Sequence, residues 1–420
     1  MSRHYALAPL LLAVALAGCD SPPPSRPLVS PKKPGEPLIR VRLQRLAGQI
    51  RLGGPARLLV QPRGRPDLKQ LLPTPLSLRL VAGQWAGTAL DPPLPPGCEV
   101  VVKPLGQLPL RIQQDPYPGH LRLVPRRVSS EPLSRFDVIN HVRIEAYLPG
   151  VLERELYADW RPATYLAQAI AARTYAISRA MINGPGRAYD VESTTASQAY
   201  GGQSLRPLAV RAVAATMGMV LTWDQRPIAA FYSSTCGGIR LSPADAFGTP
   251  GAAEPLNPQA GAAWCAESEH HRWGPVVRDR AALSARIATW GRRRRLPVAA
   301  LGRIHSVQVV SRNSLGRAVI YRLTDERGKS YDLRGESLRL AANFYSQAAK
   351  IPSPPRGQRL RSGWFKVDVV GQQVHFEQGR GFGHGVGLCQ YGAQGMAIAG
   401  HDPLSILQEY YPQARIERAY

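Results

Sequence analysis

Hydrophobic and polar residues alternate over short runs in the first third of the chain, and this pattern predicts β-strands. Each run is bounded by Gly or Pro, which is typical of strand ends. The runs are residues 38–43, 56–60, 76–81 and 98–102. We therefore expect residues 38–130 to form a β-rich N-terminal region. A further strand over residues 137–145 should lead into the segment that follows.

The pattern changes from strand to helix within residues 147–177. Asp159 is the predicted N-cap, and Pro162 falls in the first turn, where its missing N–H costs little. Apolar residues then recur at spacings of four, seven and four, which predicts one buried stripe: Leu166, Ile170, Ile177 and Met181. Arg173 projects onto the middle of that stripe. Its guanidinium should therefore either reach a carboxylate or extend to the edge of the stripe.

Helices and strands are interleaved over the rest of the chain. We predict helices at residues 207–217 and from Pro403 onwards, and strands at residues 219–223, 228–233, 304–310, 318–324 and 364–370. Residues 242–300 are rich in Ala, Pro and Arg and are predicted to be an irregular insertion. Because no regular βαβ spacing is present, the fold class should be α+β, with a mixed helix–strand domain over residues 131–420.

The N-terminus predicts export from the cytoplasm. Residues 1–19 combine a basic start, a short apolar run and small residues before Cys19, as in a lipoprotein signal peptide. The alternative is an ordinary cleaved signal with a chance cysteine. Residues 20–37 are proline-rich and should form an extended tether. We therefore expect a periplasmic or cell-envelope protein, anchored to a membrane by a lipid on Cys19.

A formal net charge of +24 raises the question of nucleic acid binding. The arginines are scattered, however, apart from the run Arg292–Arg295. An exported chain also does not meet nucleic acid in the cytoplasm. We therefore predict no nucleic acid partner, and favour an anionic membrane or a polyanionic polymer of the envelope.

Two segments carry candidate chemistry. Glu153 and Glu155 lie two residues apart, so on a helix one can face solvent while the other faces a cleft. Residues Gly379–Gly387 contain five glycines around His384, and Gln390 follows. No Lys-Ser/Thr follows the glycines, which argues against a phosphate-binding loop. The pattern favours polar donors for a carbohydrate or peptide, and the alternative is a tight turn with a structural histidine.

Several motifs together resemble the stage II sporulation protein D family, which includes the amidase enhancers. They occur in order over residues 131–415: YLPGVLERE, AQAIAARTYAI, STTASQAYGG, CGG, GRGFGHGVGLCQYGAQGMA and ILQEYYP. The resemblance implies an exported protein that acts on peptidoglycan. The sporulation members are lytic transglycosylases, which cleave the bond between N-acetylmuramic acid and N-acetylglucosamine in glycan strands stripped of stem peptides.

The catalytic glutamate of that family lies in a G-V-x-x-E pattern, which here falls on Glu155. A hydrolase of glycosides needs two carboxylates. A lytic transglycosylase needs one acid/base, because the sugar's own 6-hydroxyl attacks the anomeric carbon and leaves a 1,6-anhydro ring. Such a group needs a raised pKa, and hence partial burial. The competing interpretation is that Glu155 pairs with Arg173.

Six residues are predicted to support Glu155 by binding substrate: Arg173, Gln198, Tyr200, His384, Gln390 and Tyr391. Gln198 and Tyr200 suit hydrogen bonding and stacking to sugar rings. Arg173 could instead order the loop that carries Asp190 and Glu192. Two other classes of function stay open: a non-catalytic peptidoglycan-binding enhancer of a partner amidase, and a structural envelope lipoprotein.

Four cysteines remain after Cys19: Cys98, Cys236, Cys265 and Cys389. Some members of the family bind zinc near the CGG segment. Here no histidine precedes CGG and no short-spaced ligand pair is evident, so we expect no cofactor and predict a Cys236–Cys265 disulfide. It would stabilise the fold by about 3–4 kcal/mol. The alternative is zinc held with His270 or His271.

Overall fold

The structure is a computed structural model that describes residues 35–128, 131–249, 256 and 264–420. The predicted signal peptide, the lipidation site Cys19 and residues 20–34 of the tether lie outside the described residues. The lipid anchor and the tether therefore stay predictions.

Within this range the chain forms eight helices and twenty-five strands. The helices are α1 Ile144–Glu155, α2 Pro162–Asn183, α3 Pro207–Ala215, α4 Pro243–Phe247, α5 Arg280–Arg294, α6 Gly335–Ala342, α7 Gln390–Ile398 and α8 Pro403–Tyr410. The strands up to α1 are β1 Leu38–Ala47, β2 Gln49–Gly53, β3 Arg57–Pro62, β4 Gln70–Pro73, β5 Leu76–Val81, β6 Gln84–Gly87, β7 Val100–Pro104, β8 Leu110–Ile112, β9 Asp115–Tyr117, β10 His120–Arg126 and β11 Arg135–Arg143. Those after it are β12 Val191–Glu192, β13 Met219–Trp223, β14 Arg226–Pro227, β15 Tyr232–Ser233, β16 Arg272–Trp273, β17 Val276–Asp279, β18 Ile304–Arg312, β19 Ala318–Asp325, β20 Ser330–Arg334, β21 Lys366–Val370, β22 Gln373–Glu377, β23 Gly379–Arg380, β24 Leu388–Cys389 and β25 Arg415–Arg418. The predicted α+β fold class and the β-rich N-terminal region are confirmed.

Two sheets of the N-terminal region share one hydrophobic core. A seven-stranded sheet has the order β12-β1-β11-β10-β7-β3-β4, and a five-stranded sheet has the order β6-β5-β2-β8-β9. Alternation along the strands supplies the core: in β5, Leu76, Leu78 and Leu80 are buried while the residues between them are half-buried or exposed. The apolar residues that recur at every second position in the sequence therefore form the buried face of these strands.

The seven-stranded sheet continues across position 130 into the region that holds α1 and α2. Strand β1 pairs antiparallel with β11 and parallel with β12. The second core of the molecule lies against this end of the sheet and surrounds α2. The N-terminal strands thus support the segment in which Glu155 lies.

Helix α2 starts three residues after the predicted cap. Arg161 is at the N-cap position without a side-chain cap, and Pro162 begins the helix, so the prediction for Asp159 was wrong. The proline sets the start, because its fixed φ suits the first helical position. The predicted apolar stripe also differs: α2 is buried on nearly all sides between Thr164 and Ala176, whereas Met181 is 60% exposed. Alanines allow neighbouring elements to pack on every face.

A third core is formed by residues from the sequence range Trp273 to Phe376. Its presence shows that the prediction of an irregular insertion at 242–300 was wrong. Helix α5 occupies Arg280–Arg294, and its residues Leu283, Ile287 and Trp290 are buried. Their spacing of four and three is that of a helix facing a core. The surrounding arginines and alanines hid this short stripe in the sequence.

Among the described helices, none combines the length and the apolar character needed to cross a membrane.

Candidate functional site

Glu155 is the last residue of α1, and Glu153 lies on another side of the same turn. The Glu153 carboxylate faces outwards, with its side chain 40% exposed and 3.7 Å from the Arg206 guanidinium. Glu155 points inwards and is half-buried. One glutamate therefore faces solvent and the other the interior, as their spacing predicted.

Both carboxylate oxygens of Glu155 accept a hydrogen bond from a neutral donor. The backbone N–H of Ala199 lies 2.9 Å from Oε1, and the side-chain amide of Gln390 lies 3.1 Å from Oε2. Burial raises the pKa of Glu155 above its ordinary value, and the two hydrogen bonds oppose that rise. The C-terminal end of α1 also carries partial negative charge, which disfavours an ionised carboxylate. Among the described residues no cation pairs with Glu155.

The loop that supplies the Ala199 N–H lies directly on α1. Gly150 in the helix makes this approach possible, because a Cβ there would lie 1.9 Å from the carbonyl oxygen of Gly202. Gly202 itself has a φ of +93°, a left-handed conformation that favours glycine. The G-V-x-x-E pattern thus includes a glycine with a packing role: it admits the loop that orients Glu155.

Gln390 comes to Glu155 from 235 residues further along the chain. It is the first residue of α7, and the short strand β24 just before it pairs in parallel with β15. Glycines of the predicted loop permit this pairing: a Cβ on Gly387, where φ is +68°, would lie 2.0 Å from the carbonyl oxygen of Phe231. The glycines therefore accommodate the protein's own chain, and the placement of Gln390 beside Glu155 agrees with its prediction as a site residue.

Arg173 reaches a carboxylate, but not that of Glu155. Its fully buried guanidinium binds Glu145 through two hydrogen bonds, Nε–Oε1 at 2.9 Å and Nη2–Oε2 at 2.8 Å. The interpretation that Glu155 pairs with Arg173 is therefore wrong. Arg173 also does not order the loop of Asp190 and Glu192, because those carboxylates pair with Arg40 and Arg42. Its contacts join α2 to the start of α1, and no described contact leads to Glu155.

Gln198 and Tyr200 lie within the core beside the site. The Gln198 amide accepts from the Tyr147 hydroxyl at 3.1 Å and donates to the Tyr232 hydroxyl at 3.0 Å, and its side chain has no exposed surface. The Tyr200 hydroxyl is 3.2 Å from Asn140 Oδ1, and its ring is buried. As placed, both residues position the loop that carries Ala199.

His384 lies in an aromatic pocket. Its ring meets those of Phe247 and Phe231 edge-on, with centroids 5.2 and 6.0 Å apart, and Nδ1 accepts from the Val386 N–H at 3.0 Å. Burial lowers the pKa of His384 to about 4. The imidazole is therefore neutral near pH 7, and its described contacts do not include Glu155.

An aromatic surface adjoins Glu155 and Gln390 in sequence. Its members are in ring contact; Tyr157 is 53% exposed and Phe382 39% exposed, whereas Trp160 is buried, and the Tyr157 ring also lies 6.2 Å from that of Tyr391. They are Tyr157, Trp160, Tyr391, His270 and Phe382, with successive ring centroids 5.5, 5.1, 5.9 and 4.8 Å apart. The predicted residue Tyr391 is its centre. The other four were not predicted; the only available signal was that Tyr157 and Trp160 closely follow Glu155.

The cysteines predicted to form a disulfide lie close together. The Sγ atoms of Cys236 and Cys265 are 3.7 Å apart, longer than an S–S bond of about 2.05 Å, so the disulfide stays a prediction. Cys389 lies against the same pair, and all three thiols fall within 4.8 Å of one another. The Nδ1 atom of His271 is 3.3 Å from Cys265 Sγ.

Comparison with known proteins supports the family resemblance that the sequence motifs indicated. The chain is similar to an uncharacterized protein of Brachyspira hyodysenteriae (29% identical over 276 residues, 65% of this chain and 66% of that protein). It also resembles the amidase enhancer of Bacillus subtilis (26% identical, 63% of this chain and 39% of the enhancer) and the stage II sporulation protein D of Bacillus amyloliquefaciens (26% identical, 67% and 76%). The matched region thus spans less than two thirds of the first two proteins. A family model described as Stage II sporulation protein matches residues 133–223. The match includes α1, α2 and Glu155, and it confirms the resemblance to the Stage II sporulation protein family that the motifs indicated.

Proposed function

We propose that the protein is a peptidoglycan lytic transglycosylase of the cell envelope, with Glu155 as its single acid/base. The observation that carries the proposal is the state of Glu155: a half-buried carboxylate with a raised pKa, held by two neutral donors and without a paired cation among the described residues. A carboxylate that serves only structure is normally paired, as Glu145 is with Arg173. An unpaired carboxyl group with an elevated pKa suits proton donation.

In the proposed reaction Glu155 donates one proton in the first step and accepts one in the second. Protonated Glu155 donates its proton to the glycosidic oxygen as the bond to the anomeric carbon of N-acetylmuramic acid breaks. The 6-hydroxyl of the same sugar forms the new bond to that carbon and gives its proton to the Glu155 carboxylate. The products are a free N-acetylglucosamine hydroxyl and a 1,6-anhydro ring, and no water is consumed. The donors Ala199 N–H and Gln390 keep the carboxyl group in one orientation through both steps.

The aromatic surface supports a glycan as substrate. Sugar rings present apolar C–H faces, which pack on exposed aromatic side chains such as Tyr157 and Phe382. A cluster of contacting rings that includes Tyr391, next to Gln390 in sequence, offers several adjacent faces to a polymer of sugars. The net charge of +24 suits an anionic polymer or membrane surface in the same envelope.

The second candidate is a non-catalytic enhancer that binds glycan and raises the activity of a partner amidase. The similarity to the amidase enhancer of Bacillus subtilis favours it. The aromatic surface serves this function equally well, since it requires binding alone. The two candidates differ only in whether Glu155 moves a proton.

The test is Glu155→Gln, with Glu153→Gln as the matched control on the same helical turn. The amide keeps the size of the side chain and still accepts from Ala199, and Gln390 can rotate its own amide to restore the second hydrogen bond. We expect release of 1,6-anhydro ends from denuded glycan strands, measured by mass spectrometry, to fall by roughly 10²–10⁴-fold. Glu153→Gln should stay within about twofold of wild type, because among the described residues its exposed carboxylate pairs with Arg206 alone, at 3.7 Å.

Undiminished cleavage by Glu155→Gln would overturn the assignment of the acid. A wild-type protein that yields no anhydro ends, yet binds glycan and accelerates an N-acetylmuramoyl-L-alanine amidase, would favour the enhancer.

A further inference from the structure

The C-terminal end of α5 carries four consecutive arginines, Arg292–Arg295, and all four side chains are exposed. A second segment lies beside them, because Arg293 Nη2 donates to Ser346 Oγ at 3.0 Å. That segment adds Tyr345, which is 63% exposed, and the exposed Lys350 in the turn after Ser346. We propose that this surface, which we call the α5 patch, binds a membrane that contains anionic lipids.

Helix α5 holds the parts of the patch in place. Nη1 of Arg286 donates to the carbonyl oxygens of Phe344 and Pro352 at 2.5 and 2.6 Å, and so fixes the second segment on both sides of its turn. The guanidinium of Arg294 lies over the Trp290 ring, 4.6 Å from its centroid. The cations and the exposed tyrosine therefore form one surface on a folded support.

Among the described residues, no carboxylate forms an ion pair with the arginines of the patch. Residues 280–324 and 337–367 contain neither Asp nor Glu. The four carboxylates between these ranges are paired with other arginines: Asp325 with Arg327, Glu326 with Arg280 and Arg303, Asp332 with Arg322, and Glu336 with Arg339. The C-terminal end of a helix favours a nearby cation, but adjacent like charges repel each other. Anions from outside the chain would offset the repulsion among four.

The backbone at Arg295 also indicates that the charge is used. This residue directly follows α5 and has a φ of +55°, which is a left-handed conformation. Glycine is the usual residue at this position, because a Cβ is disfavoured there. The sequence nevertheless has a fourth arginine here, at a conformational cost that a solvated surface charge does not require.

The exposed tyrosine favours a membrane over a soluble polyanion as the partner. Tyrosine rings are typical of the membrane interface, where they lie at the level of the headgroups, and each arginine near an anionic surface adds attraction. The lipid predicted on Cys19 and the predicted tether of residues 20–37 would keep the patch at a high local concentration next to the membrane. Binding would hold the folded part of the chain against the lipid surface, and this inference does not depend on glycan cleavage.

The test uses the full chain with Cys19→Ser, which has no site for the acyl chain. Its partition coefficient is measured by flotation with vesicles of phosphatidylcholine, either alone or with about one third phosphatidylglycerol. The salt concentration is about 0.1 M, where the Debye length is about 10 Å. Replacing all of Arg292–Arg295 by Gln should lower the partition coefficient on anionic vesicles roughly 100-fold, since each arginine contributes about fivefold. Binding to phosphatidylcholine alone should not change.

The matched control removes the same net charge from the N-terminal region. It replaces by Gln four exposed arginines of that region: Arg51, Arg57, Arg79 and Arg111. This variant should stay within about threefold of the parent chain, because the charges it removes lie outside the patch. Equal losses in the two fourfold variants would show that net charge alone attracts the protein, and would overturn the proposal.

A single variant, Tyr345→Ala, separates a membrane from a soluble polyanion without changing any charge. It should bind anionic vesicles roughly fivefold more weakly and bind polyphosphate as the parent chain does. Unchanged vesicle binding by Tyr345→Ala would contradict a membrane as the partner. Binding of polyphosphate that depends on Arg292–Arg295, with no such dependence on vesicles, would overturn the proposal in favour of a soluble polyanion.

Discussion

The two ends of α1 each carry an inward-facing glutamate, and their surroundings are opposite. At the first turn, Glu145 binds the buried Arg173 through two hydrogen bonds and also accepts from the Gly218 N–H and the Tyr420 hydroxyl. At the last turn, Glu155 has two neutral donors and no paired cation among the described residues. One helix thus places a carboxylate paired with a buried cation about ten residues from one without such a pair, for which we propose the acid/base role. The partner of each carboxylate, more than its burial, separates the two roles.

The largest effect on the free energy of unfolding is expected at the Glu145–Arg173 pair, at the first turn of α1. Arg173→Met keeps much of the side-chain volume but leaves Glu145 without its cation. We expect the free energy of unfolding to fall by about 3–5 kcal/mol, as measured by chemical denaturation. Glu153→Gln breaks the exposed pair with Arg206 and is the control, with an expected loss of less than about 1 kcal/mol. If Arg173→Met cost no more than the control, the Glu145–Arg173 pair would not stabilise the fold.

The second prediction concerns Glu155 at the last turn of α1. Here we expect the stability of the variant relative to wild type to rise with pH. Burial raises the pKa of Glu155 in the folded protein above about 4.5, its ordinary value. A raised pKa means that folding is favoured while the group is protonated, and that this contribution is lost as the pH rises through the folded pKa. Glu155→Gln does not titrate. Its stability relative to wild type should therefore increase as the pH is raised from about 4.5, measured by urea denaturation across a pH series. A constant or decreasing difference would contradict the raised pKa.

The smallest effect is expected outside α1, on the aromatic surface. Tyr157→Ala removes an exposed ring that lies 5.5 Å from Trp160. Loss of about 1 kcal/mol of apolar contact should raise KM for glycan strands roughly fivefold, with kcat nearly unchanged. Tyr345→Ala, at a tyrosine that is 63% exposed outside the aromatic surface, is the matched control. Equal KM values for the two variants would show that the aromatic surface does not bind the glycan.

Patterns that are local in sequence predicted their structures well. Alternation identified the N-terminal strands, and the spacing of Glu153 and Glu155 predicted that only one faces inwards. The motif resemblance pointed to both Glu155 and Gln390. The predictions of strands and of the inward-facing side succeed because neighbouring residues fix a strand face or a helix side without further information, whereas the roles of Glu155 and Gln390 stay predictions.

Predictions failed where the partner lies far along the chain. Arg173 was expected to contact a carboxylate, yet nothing in the sequence distinguished Glu145, 28 residues earlier, from Glu155. The same limit hid the thiol cluster, since Cys389 joins Cys236 only through the pairing of β15 with β24. Helix α5 was missed for another reason: its three large apolar residues are outnumbered by arginines and alanines.

Cleavage in water enriched in oxygen-18 shows whether one carboxyl group cleaves the glycan without water. Hydrolysis incorporates one oxygen from water at each new reducing end, because water attacks the anomeric carbon. Intramolecular attack by the 6-hydroxyl incorporates none. We predict that wild-type protein releases 1,6-anhydro ends of unlabelled mass from denuded strands, and that Glu155→Gln releases none. New reducing ends that carry oxygen-18 would instead show that the protein is a hydrolase.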